Sequence, residues 1–362
     1  MTHHSLLLLV GTQKGLFRLR PGTSGEPWIV DGPHIEGYEV LHVLPSRAAP
    51  GVLFAAARHK IWGAHLYRSD DLGRSWTPAG VTPAHVGGPH DTGVNAVWFL
   101  AESPHDGRLL AGIDPPGLFA SSDRGASWEP VAGLNEHPSR DRWEPAKGGF
   151  SVHSIHVHPT RPERWYAAVS AGGAFRSDDA GEHWVPVNRG VRAENRPERF
   201  PAVGHNIHRL VMHPLRPERL YRQCYSGVYR SDNGGDDWQE ITANLPSDFG
   251  YAVVCDPEDA DTVFQVPISS SHMRTAPDGR LRVYRSTDAG GHWESVSEGL
   301  PAEHVYVTVL REAMDAIRGE SLCIAFGTSS GHVFASGNGG TTWELARAYL
   351  PRILSVRAVT TA

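Results

Sequence analysis

Short apolar runs alternate with polar, turn-forming stretches along the whole chain, and no segment holds a helical period. The runs recur in a fixed order. A pair such as Leu66-Tyr67, Leu118-Phe119, Ala174-Phe175, Val228-Tyr229, Val283-Tyr284 or Val333-Phe334 leads into Ser-x-Asp/Asn-x-Gly-x-x-Trp. A short strand and a loop follow the Trp, and then comes an apolar strand that ends near a proline, as at 40–45, 152–159, 207–214 and 252–257. Arg-Pro-Glu-Arg, at 161–164 and again at 216–219, then turns the chain into one more strand. Each unit therefore predicts four antiparallel strands, the content of one propeller blade.

The motif occurs six times, ending at Trp76, Trp128, Trp184, Trp238, Trp293 and Trp343, with successive spacings of 52, 56, 54, 55 and 50 residues. A period of this length is the signature of a repeat architecture. The residue types predict a hairpin turn. The Asp or Asn (Asp71, Asp123, Asp179, Asn233, Asp288, Asn338) bonds backbone across the turn, the Gly takes positive φ, and the Trp packs back under it. The six polar residues accordingly read as scaffold and not as a catalytic array. At the ends, 6–11, 15–17 and Trp28 supply the second to fourth strands of a further blade, and 353–359 its first strand. The expectation is an all-β, seven-bladed propeller in one domain, 1–362, closed by joining the two ends of the chain.

Composition narrows the class. The 39 glycines, 27 prolines and 11 tryptophans suit many short strands and tight turns. A net charge of −6 with no basic run argues against reading nucleic-acid phosphates. Cys224, Cys255 and Cys323 have no metal-type or disulfide spacing, and 6–10 is too short an apolar run for a leader or a membrane span. These features predict a cytoplasmic protein without membrane contact.

The six motifs, with Val-Gly-Thr-Gln-Lys-Gly-Leu-Phe at 10–17 and Phe-Gly-Thr-Ser-Ser-Gly-His-Val-Phe at 326–334, make the chain resemble bacterial BNR/Asp-box repeat proteins of the sialidase-like or glycosyl-hydrolase-like kind. The resemblance implies the propeller fold, and a carboxylate-dependent glycoside hydrolase as one activity. Sialidases carry an arginine in Phe/Tyr-Arg-Ile-Pro before the first motif. This chain has Leu16-Phe17-Arg18-Leu19-Arg20 there, and its Arg352-Ile353 lies near the other end.

Candidate chemistry falls in the long loops 57–65, 79–95, 132–152, 188–206 and 267–280, which a propeller places opposite the motif turns. Of 21 histidines, 15 lie between His34 and His213. Aligning innermost strands on their terminal prolines puts Glu39, His153, His208 and Tyr251 on one step, joined by Trp98 and more loosely by Tyr306. Two imidazoles and a carboxylate are a ligand set for Zn²⁺ or Fe, so His153, His208 and Glu39 are the expected metal ligands. His90, Asp91, His205 and Tyr251 are the expected catalytic groups. Arg142, Trp143 and Lys147 in the 137–148 loop, with Trp98 and Tyr306, are the expected contacts to a small-molecule or sugar-like ligand. The bland alternative for His153 and His208 is a hydrogen bond between blades.

Three functions fit these residues. One is a hydrolase or lyase with a His-rich, metal-bearing site. Another is a glycoside hydrolase using carboxylates such as Glu39, Asp91 and Glu144, and the last is a non-catalytic propeller binding a protein partner.

Overall fold

The computed structural model describes residues 5–23, 26–86, 93–144, 149–193 and 196–361. The architecture is a β-propeller. Five four-stranded antiparallel sheets and one eight-stranded sheet make up the described strands, and the only α-helix among the described residues is the single turn Ala132–Asn135. The innermost strands are Glu39–Pro45, Ala96–Glu102, Val152–Val157, Ile207–Met212, Gly250–Cys255, Val309–Arg318 and Ile353–Thr361. Each touches the next, and the last touches the first, so they enclose a central channel. The strand Ile353–Thr361 pairs antiparallel with Ser5–Thr12, which joins the two ends of the chain within one sheet as their patterning predicts.

Second strands such as Trp165–Val169 and Leu220–Cys224 are buried along their whole length, because both faces of a middle strand meet neighbouring sheets. In third strands the aromatic points into the core (Phe119, Phe175, Tyr229). The following arginine (Arg176, Arg230) stays half-buried and reaches the adjacent turn.

The motif turns are closed units. In one, Ser177 Oγ donates to Asp179 Oδ1 at 2.8 Å, Gly181 N donates to Ser177 Oγ at 2.8 Å, and His183 N donates to Asp179 Oδ1 at 2.8 Å. Hydrogen bonds from Ser127 hold the Asp123 carboxyl at about 2, and those from His183 hold Asp179 at about 2. Ala180, at φ 57°, donates its N–H to Glu163 O, which fastens the turn to the Arg-Pro-Glu-Arg turn of the same sheet. The repeated last arginine of that turn has a matching role. Arg164 pairs with Asp178 at 2.5 Å, and Arg219 pairs with Asp232, the residue between the Ser and the Asp or Asn of each motif.

The tryptophans do more than cover their own turns. Trp76 and Trp184 donate Nε1–H to the motif glycine, as the pattern predicts. Trp128, Trp238, Trp293 and Trp343 instead reach the preceding sheet, at Val81, Val187, Ile241 and Val296 O respectively. Trp28 makes the equivalent link where the chain ends meet, donating to Glu344 at 2.8 Å.

Candidate functional site at the channel mouth

The motif turns and the turns between first and second strands share one end of the channel. The starts of the innermost strands line the other end, where every innermost strand loses register. The residues left without a partner are Leu41, Trp98, His153, His208, the pair Tyr251 and Ala252, the run 310–313, and Leu354. A bulge re-aims one side chain out of the sheet. Here the bulges at Leu41, Trp98, Tyr251, 310–313 and Leu354 turn side chains toward the channel mouth. The largest bulge sets residues 310–313 against Gly327 alone and delivers Arg311 and Glu312.

Leu41, Trp98, Tyr251, residues 310–312 and Leu354 of these help to wall a cavity of about 270 Å³ at the mouth. Its lining includes Glu39, Leu41, Arg58, Trp98, Tyr251, Arg274, Arg311, Glu312, Arg352 and Leu354. Glu39 pairs with Arg58 at 2.6 Å, and the buried Glu312 pairs with Arg209 and stands 3.6 Å from His42 Nε2. The Arg311 guanidinium, 9% exposed, lies 5.3 Å from the centre of the Trp98 ring. Burial lowers the Arg311 pKa, against the pull of Tyr251 and Glu312.

Several expected groups do gather here. Glu39, Trp98 and Tyr251 line the cavity. His153 and His208 occupy bulges in neighbouring strands, but their ring nitrogens serve the joints between sheets. His153 Nε2 donates to Ile207 O at 2.9 Å, and its Nδ1 lies 3.2 Å from Ser154 Oγ. His208 Nδ1 donates to Gly250 O at 2.6 Å while its ring packs on Tyr251, 4.7 Å away. His156 and His213 make the same kind of joint, to Leu210 O and Asp256 O. Burial drives His153 well below the ordinary imidazole range, and takes His208 to about 3 and His156 to about 4.

The trio of His153, His208 and Glu39 does not form a ligand set. Both His153 nitrogens are engaged and Glu39 is taken by Arg58. Among the described residues no three His, Cys, Asp or Glu side chains stand close enough to hold a metal ion. Glu39 is also out of step with the histidines. Ser46 N bonds Val52 O just as His158 N bonds Arg164 O, so Pro45 precedes by two residues the position of Pro159, and Leu41 is the true counterpart of His153.

Other expected residues lie elsewhere. Trp143 is no exposed platform. It is 3% exposed, packed against Phe175 with ring centres 5.2 Å apart, and it donates to Ser139 Oγ at 3.0 Å. Its indole fills the space behind the sheet more favourably than it would cover solvent. Arg142 is exposed on the same turn, and Tyr306 is 66% exposed and does not line the cavity. His205 is buried beside Arg222 and donates to Pro201 O at 2.7 Å; burial, with the Arg222 charge, takes it to about 4. His90, Asp91 and Lys147 lie outside the described residues.

The patterning did not single out Arg58, Arg274, Arg311, Glu312 and Arg352. The signal was present at 307–318, where Arg311, Glu312 and Asp315 interrupt the apolar pattern of an innermost strand.

No protein-family profile matches the chain. A xyloglucanase from Paenibacillus sp. is 26% identical over 179 residues, which are 45% of this chain and 16% of that protein. The fold resembles the GH74 xyloglucanase from Xanthomonas campestris, with a TM-score of 0.67 and 19% identity over 96% of this chain and 53% of that one. It also resembles a GH74 enzyme from Niastella koreensis, with a TM-score of 0.57, 15% identity and coverage of 96% and 65%. A YCF48 protein bound to a D1 peptide has a TM-score of 0.53 at 13% identity, over 84% of this chain and 80% of that one. The chain thus spans about half the length of the solved xyloglucanase and about a sixth of the curated one. No helix among the described residues is long and apolar enough to cross a membrane.

Proposed function

We infer that the protein is a glycoside hydrolase whose sugar unit seats in the cavity at the channel mouth. The observation that carries this reading is the presence in one cavity of an aromatic face, Trp98, and two carboxylates, Glu39 and Glu312. Cleaving a glycosidic bond takes one carboxyl group to protonate the leaving oxygen and a second to act from the other face of the ring. Glu39 is the more open of the two, with its side chain 30% exposed against 3% for Glu312, and so it is the group able to exchange a proton with water. Arg58 and Arg209 hold the two carboxylates in place. The likeness to xyloglucanases supports the reaction class. It favours this reading over the His-centred metal site.

Reducing-end release from a panel of oligosaccharides, xyloglucan fragments among them, tests the reading. Glu39→Gln is expected to lower the rate by at least about 100-fold, with the fold intact by circular dichroism. A wild-type rate in that variant removes Glu39 from the chemistry. On the same reading the eight-stranded sheet counts as two blades, Val309–Arg318 beginning one and Ile353–Thr361 the other. Their only ladder pairing is one parallel bridge, Glu312 to Ser355, which supports a ring of seven blades of the BNR/Asp-box type.

A further inference from the structure

Arg311 is the anomaly of the cavity. A buried guanidinium normally ends on a carboxylate or on several neutral acceptors, because the cost of removing it from water is otherwise uncompensated. The other deeply buried arginines each hold at least one polar partner, even where single nitrogens of Arg209 and Arg222 have none. Arg219 pairs with Asp232 and Asp261, and Arg209 with Glu312. Arg222 meets Asn188 Oδ1 at 2.9 Å and Cys224 Sγ at 3.0 Å. Among the described residues Arg311 has neither a hydrogen bond nor an ion pair, and its buried NH1 atom is without a partner. The indole N–H of Trp98, over whose ring it lies, is also unpartnered.

The surrounding charge points the same way. Four arginines (58, 274, 311, 352) and two carboxylates (Glu39, Glu312) line the cavity, a balance of 4 − 2 = +2. Both carboxylates are already taken, by Arg58 and Arg209. The Arg274 guanidinium bonds the Ser271 carbonyl, at 3.0 Å, and no carboxylate among the described residues. Two donors without acceptors and an uncompensated positive charge, in a space of about 270 Å³, are what a flat, two-oxygen anion would complete.

We propose that the channel-mouth cavity is a carboxylate-binding site, in which the Arg311 fork and the Trp98 N–H take the carboxylate of a monosaccharide-sized acid, with Arg274 and Arg352 at the rim. Coupled to the glycoside-hydrolase reading, on which its sugar part rests, this makes the preferred substrate unit a uronic acid and not a neutral sugar. The anion site itself is independent of any hydrolysis.

Calorimetric titration of the full chain at about pH 7 and low salt (about 50 mM) with D-glucuronate, D-glucose and inorganic phosphate tests the proposal. Glucuronate is expected to bind at least about tenfold more tightly than glucose or phosphate, because a paired guanidinium–carboxylate contact is planar and bidentate. Arg311→Met is expected to abolish that preference without lowering the melting temperature, since it removes a charge that the free protein leaves unmatched. Equal affinity for glucose and glucuronate, tighter binding of phosphate, or an unchanged preference in Arg311→Met would each overturn the assignment. Should Arg311→Met fail to fold, Arg352→Gln and Arg274→Gln are read in its place, each expected to weaken glucuronate about threefold; no change in either overturns the proposal equally. Loss of hydrolysis with the glucuronate preference intact sinks only the glycosidase reading. Hydrolysis of neutral glycans without that preference sinks only this one.

Discussion

The motif turns at one end of the channel and the mouth at the other are built from the same materials: charged side chains, aromatic rings and strand ends. They differ in how their polar atoms are satisfied. In a turn such as 177–184 the partners of Ser177 and Asp179 lie within six residues along the chain. At the mouth, Glu39, Trp98, Arg274 and Arg311 come from four separate stretches of sequence, and the buried NH1 of Arg311 is without a partner. Saturated polar groups stabilise, and unsaturated ones wait for something the protein does not itself supply. The conspicuous repeats therefore read as scaffold, and the proposed site lies at the irregular end.

That contrast predicts opposite responses to substitution. The largest loss should follow Trp238→Ala, which empties a buried indole site and breaks a link between sheets to Val187 O. About 3–5 kcal/mol of stability should disappear, read by urea unfolding. A loss below about 1 kcal/mol would mean that the turns are not the scaffold.

Acidification should weaken a joint between innermost strands next. His156 is half-buried and neutral, with a pKa lowered by desolvation to about 4 against the ordinary 6.5. The unfolded chain takes up a proton at 6.5 while the folded chain does not until near 4, so stability is complete above 6.5 and falls as the pH drops toward 4. The shift is worth roughly 3 kcal/mol at the low end. Melting temperature followed across that window should decline in the wild type and decline less in His156→Gln, whose amide can still donate to Leu210 O. Parallel curves would separate His156 from the effect.

Ser177→Ala should cost about 1–2 kcal/mol, because it strips Gly181 N and Asp179 of a buried partner. Smallest of all should be the stability effect of Arg58→Gln. Its pair with Glu39 is more than a third open to water on the Arg58 side (37%) and is worth under about 1 kcal/mol. Chemical denaturation resolves the first from the second. A large loss at Arg58 together with a negligible one at Ser177 would reverse the comparison.

Much of the fold was legible from local chemistry. The motif at near-constant spacing carries its own turn, and the apolar patterning of 353–359 and 6–11 anticipated the pairing of Ile353–Thr361 with Ser5–Thr12. The mouth was legible only in part. Trp98 and Tyr251 were reached by counting back from the prolines, because in those strands the proline follows the bulge by a constant interval. The same count misplaced Glu39, since its strand ends two residues sooner. Arg311 escaped because a bulge of four residues against one follows no period of 2.

By itself the sequence determined what recurs along the chain, the strand pattern and the closed turns, and the leftover strands at 6–11 and 353–359 completed one further unit of that repeat. Interactions within a few residues recur wherever the motif recurs. Tertiary structure alone decided which histidines became joints between sheets, that Trp143 is core, and that Arg311 lines a cavity with no hydrogen-bonded partner of its own among the described residues. Those outcomes depend on which bulge in one strand meets which residue some 50 positions away, as His153 meets Ile207 54 residues on. No local rule encodes that distance.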